Sequence, residues 1–332
     1  MNTIVLTNNN LESSLSTPIG SRFTHIDSRQ DTDVLNQLLA DKRAETTRRA
    51  YLSDINNFFN LMTGDTASHD AVLEFLHLSQ GQAVATVLKY KAALINKGLK
   101  EATVNRRIAA IKSLVVFGRK VGVCNYSLED VKGEKTAKYR DTTGVDAPTF
   151  KLILQQCDLN TAKGIRDYAI LRLLWGNALR RGEVSKLNAG DFDPTAKTLR
   201  ILGKGKGTQY QTIDLSPAAV ESINNWLSVR GQVAADTPLF SALDNAHRGH
   251  RLTGDAIRKI VCEYSQNAGI AKAMSPHRVR HSAITAALDA TGGDVRKVQK
   301  LSRHSKLDTL MIYDDNRKRD QGEVSNLLDD LL

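Results

Sequence analysis

The sequence is poor in cysteine: only Cys124, Cys157 and Cys262 occur, far apart along 332 residues. With no Cys-x-x-Cys pair and no cysteine/histidine cluster, neither a zinc site nor a disulfide framework is expected, and a reducing cytoplasm fits best. No apolar run approaches the roughly 18 residues of a membrane helix, so no membrane partner is expected. The opening "MNTIVLTNNNLESSLSTPIG" has neither a basic start nor a proper apolar stretch, so it does not read as a secretory signal. Its Asn, Ser and Thr content predicts a flexible arm over residues 1–31. The phosphate-cradling pattern GxxxxGK[ST] is missing, which excludes a P-loop. No carboxylate cluster suited to Mg²⁺ is visible either, so no metal or other cofactor is expected.

What is present in excess is positive charge. Lys plus Arg number 46 against 36 Asp plus Glu, a net charge of +10, which points to an anionic partner, most commonly nucleic acid. Hydrophobic residues at 41% and charged residues at 25% describe a globular chain that buries a real core, and the length suggests about two domains.

Helical periodicity fills the first third. Tyr51, Ile55, Phe58 and Met62 share one helix face, with Gly64 as a stop. Ser68 reads as an N-cap, Gly98 as a C-terminal stop and Thr103 as another cap. Val104, Ile108, Ile111 and Val115 form a buried stripe that lets Arg106, Arg107 and Lys112 point outward. Periodicity fades from residue 125, and the organisation expected is a helical domain at 32–130, a linker at 131–146 and a second domain at 147–332. In that second domain "KTLRILGKGKGTQYQTIDL" reads as strand, glycine-rich turn, strand, among segments of helical pattern. The fold class is therefore mainly α with a small antiparallel β-sheet in the second domain.

Four fragments of that domain carry candidate chemistry, each with a plain alternative. Arg180 and Glu183 in "NALRRGEVSKL" lie at i, i+3; alone, they are a surface ion pair. Lys204 sits at a glycine-rich tip, where a solvated hairpin lysine is the simpler reading. In "SPHRVRHS", Pro276 suits a first helical turn and His277 and Arg280 share a face, while Arg278 and His281 are expected to point elsewhere, His281 in a structural role. Arginine offers a planar fork that matches two phosphate oxygens. Last, His304 precedes Tyr313 by nine residues, and a tyrosine in "LMIY" is ordinarily a core residue.

In this order (Arg, Lys, His-x-x-Arg, His, then Tyr) the fragments resemble the tyrosine recombinase, or phage-integrase, family. The resemblance spans about residues 32–332 and extends to "IRDYAILRLLWGNALRRGEVSKLNAGDFD", "LSRHSKLDTLMIYDD" and the N-terminal "TTRRAYLSDINNFF". Two departures stand out: Ala178 where the family often has glycine, and Arg303 where glycine usually precedes the histidine.

The resemblance implies a helical core-binding domain joined to an α+β catalytic domain. It also implies a site-specific recombinase that cleaves and rejoins DNA through a 3′-phosphotyrosyl intermediate, without metal or ATP. Tyr313 would be the nucleophile, Arg180 and Arg280 the phosphate clamp, and His304 a further donor. His277 would exchange the Tyr313 proton, Lys204 would be the general acid, and Glu183 would position Arg180. Double-stranded DNA is the implied partner, with Arg49, Arg106, Arg107 and Lys112 as candidate contacts in the first domain. A homotetramer on two sites would form by exchange of the C-terminal helix at about 320–332, where Val324, Leu327, Leu328 and Leu331 fall at helical spacing. A bacterial, phage or plasmid origin and a place at the nucleoid follow at family level. Type IB topoisomerase-like relaxation, a telomere resolvase and a catalytically inactive DNA-binding regulator are the alternatives.

Overall fold

The computed structural model describes residues 33–136, 144–203, 207–305, 307–308, 310–311, 313 and 320–331. The proposed arm at 1–31, Lys204 and the side chain of Val324 lie outside the described residues. The chain divides into two compact units, Met1–Ala137 and Lys138–Leu332. Among the described residues no helix is long and apolar enough to cross a membrane.

The first unit is helical: α1 (Val34–Asp41), α2 (Glu45–Thr63), α3 (His69–Leu76), α4 (Gln80–Asn96) and α5 (Glu101–Lys120). Ser68 caps α3 by accepting from the Ala71 N–H, and Gly64 ends α2 at φ +91°, a conformation glycine takes without a Cβ clash. The start of α5 differs from expectation. The Lys100 carbonyl accepts the Thr103 and Val104 N–H groups, so the helix begins two residues before Thr103, with Glu101 complementing its positive end.

Ile55, Phe58, Ile108, Ile111 and Val115 are all buried. Phe58 packs edge-to-face on Phe59, Phe75 and Tyr90, with centroids 5.0–5.2 Å apart, the arrangement favoured by ring quadrupoles. The segment after α5 belongs to this core. Val123, Tyr126, Leu128 and Val131 are buried, and the Tyr126 hydroxyl donates to the Phe75 carbonyl at 2.7 Å. Lys91 pairs with Glu134 at 2.6 Å and Asn105 accepts the Glu134 N–H at 2.7 Å, so the chain stays tied to this unit as far as residue 134. Side chains sparse in sequence but individually well buried hide such a segment from a periodicity reading.

The second unit contains α6 (Ala147–Gln155), α7 (Ala162–Gly176), α8 (Arg181–Lys186), β1 (Phe192–Asp193), β2 (Thr198–Leu202), β3 (Tyr210–Asp214), α9 (Pro217–Arg230), α10 (Gly254–Asn267), α11 (Pro276–Ala290) and α12 (Val295–Ser302), with a C-terminal helix at Asp320–Asp329. The sheet is antiparallel in the order β1-β2-β3, with Leu199 opposite Ile213. Only β2 alternates cleanly: Leu199 and Ile201 are buried, whereas β3 is nearly all exposed. Helix α7 is covered around most of its circumference, because Ala169, Ile170, Leu171, Leu173 and Leu174 are all fully buried. Its buried Arg166–Asp167 pair is satisfied: Arg166 also donates to the Ser241 carbonyl and Tyr264 to Asp167.

Candidate active site

Two helix starts and one helix end converge. After α7 the chain turns through Ala178, which holds φ +45°, and Arg180 becomes the N-cap residue of α8. Helix α11 starts at Pro276 with Ser275 as its cap, placing His277, Arg280 and His281 in the first two turns. Helix α12 closes on Arg303 at φ +56°, and His304 follows.

The Glu183 carboxylate is 2% exposed and carries three bonds. Its Oε2 accepts the Arg180 backbone N–H at 2.9 Å and Arg303 Nη2 at 3.1 Å, and its Oε1 accepts Arg180 Nη1 at 2.8 Å. Burial raises the carboxyl's pKa, but Arg303 and Arg180 outweigh it and hold the group below its ordinary range. The Arg280 side chain is buried and donates to the carbonyls of Ala178 and Ser302. Burial, then Arg180 and Arg303, pull its pKa down to about 10, so it stays a cation at neutral pH.

Arg280 Nη2 also lies 3.2 Å from His304 Nε2. Burial, then Arg280, Arg180 and Arg303, lower the His304 pKa to about 4, so the ring is neutral near pH 7. A neutral ring whose Nε2 accepts from Arg280 carries its hydrogen on Nδ1. That buried Nδ1 has no hydrogen-bond partner among the described residues. A continuous path of hydrogen bonds therefore runs Arg180–Glu183–Arg303–Ala178–Arg280–His304.

Tyr313 stands at the edge of this network, 4% exposed, in a small apolar cluster with Ala178, Ala283, Ile284, Leu288, Val298 and Leu310. Its ring is stacked on His281 at 4.9 Å and lies 5.9 Å from His304. His281 faces His277, with their Nε2 atoms 2.7 Å apart, so it does not point elsewhere as the sequence suggested. A spacing of four places both rings on one helix face, and that spacing was the available signal. Arg303 likewise joins the site without a motif of its own; the signal it offered was a bulky cation at a position where the resembled family usually has glycine.

The candidate DNA contacts of the first unit are spread over α2 and α5. Arg49 is exposed and paired with Glu45. Arg106 bonds the buried Asp54 at 2.5 Å, and Arg107 bonds Asn57 at 2.7 Å with its side chain 21% exposed. Lys112 is half-buried.

Residues 145–320 match the phage integrase family, and residues 35–120 match the N-terminal SAM-like domain of phage integrases. A tyrosine recombinase of Synechocystis sp. is 54% identical over 300 residues, covering 90% of this chain and 96% of that protein. The tyrosine recombinase XerC of Actinobacillus pleuropneumoniae is 31% identical over 236 residues, covering 69% and 72%. Among solved structures, XerH site-specific recombinase bound to palindromic difH substrate superposes with a TM-score of 0.65 at 19% identity, covering 89% of this chain and 84% of that one. The chain belongs to the phage integrase family and is a site-specific DNA recombinase of the tyrosine type.

Proposed function

We propose that Tyr313 attacks a phosphodiester of a double-stranded DNA site and forms a 3′-phosphotyrosyl bond, with Arg180, Arg280 and His304 holding the scissile phosphate. The observation that carries this reading is the hydrogen-bond path linking Arg180 to His304, with the phenol ring against its end. Among the described residues three guanidinium groups stand against one carboxylate, a net positive set suited to a phosphate whose non-bridging oxygens gain charge in the transition state. The His304 Nδ1–H is a donor that such an oxygen would satisfy.

In the forward step the phenol oxygen bonds to phosphorus, the bond to the 5′-oxygen breaks, and Lys204 donates the proton that oxygen needs. The phenol proton passes to His277, with His281 lying between the two rings. In reverse, a free 5′-hydroxyl attacks phosphorus and the phenolate leaves. The free energy of the phosphodiester is retained in the tyrosyl ester, so rejoining consumes no ATP.

Residues 32–130 would be the core-binding domain and 147–332 the catalytic domain, with Arg49, Arg106, Arg107 and Lys112 meeting phosphates in a salt-dependent way. Leu327, Leu328 and Leu331 of the C-terminal helix are 63%, 58% and 80% exposed, an apolar set suited to docking on a neighbouring protomer of a homotetramer on two sites. The relatives are bacterial proteins, and we place this one in a bacterial cytoplasm at the nucleoid.

The test is incubation with a nicked target duplex followed by denaturing electrophoresis. Wild type yields a protein–DNA adduct and Tyr313→Phe yields none; an adduct of equal amount from Tyr313→Phe removes the nucleophile assignment. Deleting residues 322–332 weakens assembly on paired sites more than binding to one site, and unchanged assembly would remove helix exchange.

A further inference from the structure

Arg303 is unusual in both backbone and side chain. It closes α12 at φ +56°, a conformation that costs a residue with a Cβ roughly 1–2 kcal/mol and glycine almost nothing. Its side chain is 8% exposed, and a cation so far from water is costly unless most of its donors are met. The two Nη groups are met, Nη1 by the carbonyls of Leu301 at 2.7 Å and Asn177 at 3.1 Å, Nη2 by the Ala178 carbonyl at 3.2 Å and Glu183 Oε2 at 3.1 Å, while the buried Nε–H has no partner among the described residues.

The bond to Leu301 is local to the end of α12. The other three acceptors all lie on the segment 177–183, which carries Arg180. Two of them are shared with the proposed phosphate clamp: the Ala178 carbonyl also accepts from Arg280, and the Glu183 carboxylate also accepts from Arg180. Closing a helix requires none of this, and glycine would do it with less strain.

We propose that Arg303 is a positioning residue of the cleavage centre, holding the Ala178 carbonyl and the Glu183 carboxylate where they orient Arg280 and Arg180. It rests on the cleavage reading given above. Arg303 also shares the one anion that this network holds among the described residues. With Glu183 divided between two cations, the Arg180 head group keeps more of its field for a phosphate. Touching no DNA itself, Arg303 acts through its neighbours.

The experiment compares wild type, Arg303→Gly, Arg303→Lys and Tyr313→Phe in single-turnover cleavage of the nicked duplex at saturating protein, across pH, alongside DNA affinity. Arg303→Gly relieves the backbone strain. It should bind DNA as wild type does yet cleave about tenfold to a hundredfold more slowly, since a displaced clamp misaligns the attack. Its acid limb should move to higher pH, because Glu183 has lost a cation that holds its pKa down. Arg303→Lys keeps a charge without the fork, so the acid limb should return while most of the rate deficit remains. A purely structural role would lower thermal stability and leave the limb in place. Wild-type rate and an unmoved limb in Arg303→Gly overturn the proposal. Should that variant not fold, a wild-type rate and profile in Arg303→Lys overturn it. Absence of adduct from wild type would defeat the cleavage reading instead, and wild-type adduct with unaltered Arg303 variants would defeat only this one.

Discussion

Replacing Glu183 by Gln removes one charge and changes almost no volume, so its effect is confined to three bonds. Oε1 takes Arg180 Nη1, and Oε2 takes both the Arg180 N–H and Arg303 Nη2. An amide has one acceptor oxygen, and its NH₂ must face a guanidinium or a backbone N–H, so at least one donor is stranded. A hydrogen bond to a charged partner contributes about 1.5–3 kcal/mol, and a stranded buried donor costs about 1–3 kcal/mol. Arg180 is 30% exposed and recovers part of its loss in water; Arg303 at 8% recovers little. The expected loss is about 2–4 kcal/mol, near the low end for breaking a buried ion pair.

The pH dependence follows from the lowered Glu183 pKa. A carboxylate depressed on folding stabilises the native state above its unfolded value of 4.5, and that contribution disappears as pH falls through the folded value. Urea denaturation of both proteins from about pH 7 downward should show a gap that is full at neutrality and closes below about pH 4.5. A gap under about 0.5 kcal/mol at neutral pH, or one that persists unchanged into acid, would refute the claim that this carboxylate is the pocket's counter-ion.

Ala178→Gly sets two effects against each other: relief of a positive-φ residue, about 1 kcal/mol, and loss of a fully buried methyl, about 0.8 kcal/mol. Thermal denaturation should therefore find a change within about 1 kcal/mol of zero, and a larger loss would mean that packing of this methyl dominates. Arg106→Ala leaves the buried Asp54 without its closest cation and should cost about 1–3 kcal/mol, whereas Lys112→Ala should stay within about 0.5 kcal/mol by urea titration. Equal losses from the two would show that the Asp54 pair adds nothing to stability.

Much of the molecule could be read from residue order because local signals and tertiary demands coincide there. Ser68 and Gly64 act as caps in the structure, Pro276 opens α11, and the stripe Val104, Ile108, Ile111 and Val115 is buried. Strands β2 and β3 pair on either side of the glycine-rich segment, matching the strand, turn, strand reading. What escaped had no periodic signature. Val123 to Val131 are held by individual side-chain anchors, and β1 is two residues long. In the site, the surroundings of Arg303 and His281 come from contacts with segments more than thirty residues away or with a ring on another turn. Arg106 and Arg107, read as outward cations, hold Asp54 and Asn57 as well, because an arginine long enough to reach solvent is also long enough to bend back.

The oxygen of Ala178 is held at once by a guanidinium from α11 and another from the end of α12. A single peptide group thereby couples three stretches of chain that inheritance alters one codon at a time. Substitutions at 178, 280 and 303 are therefore not independent events. A replacement tolerated in one background becomes harmful in another, and transplanting one of these residues into a relative transfers its cost without its compensation.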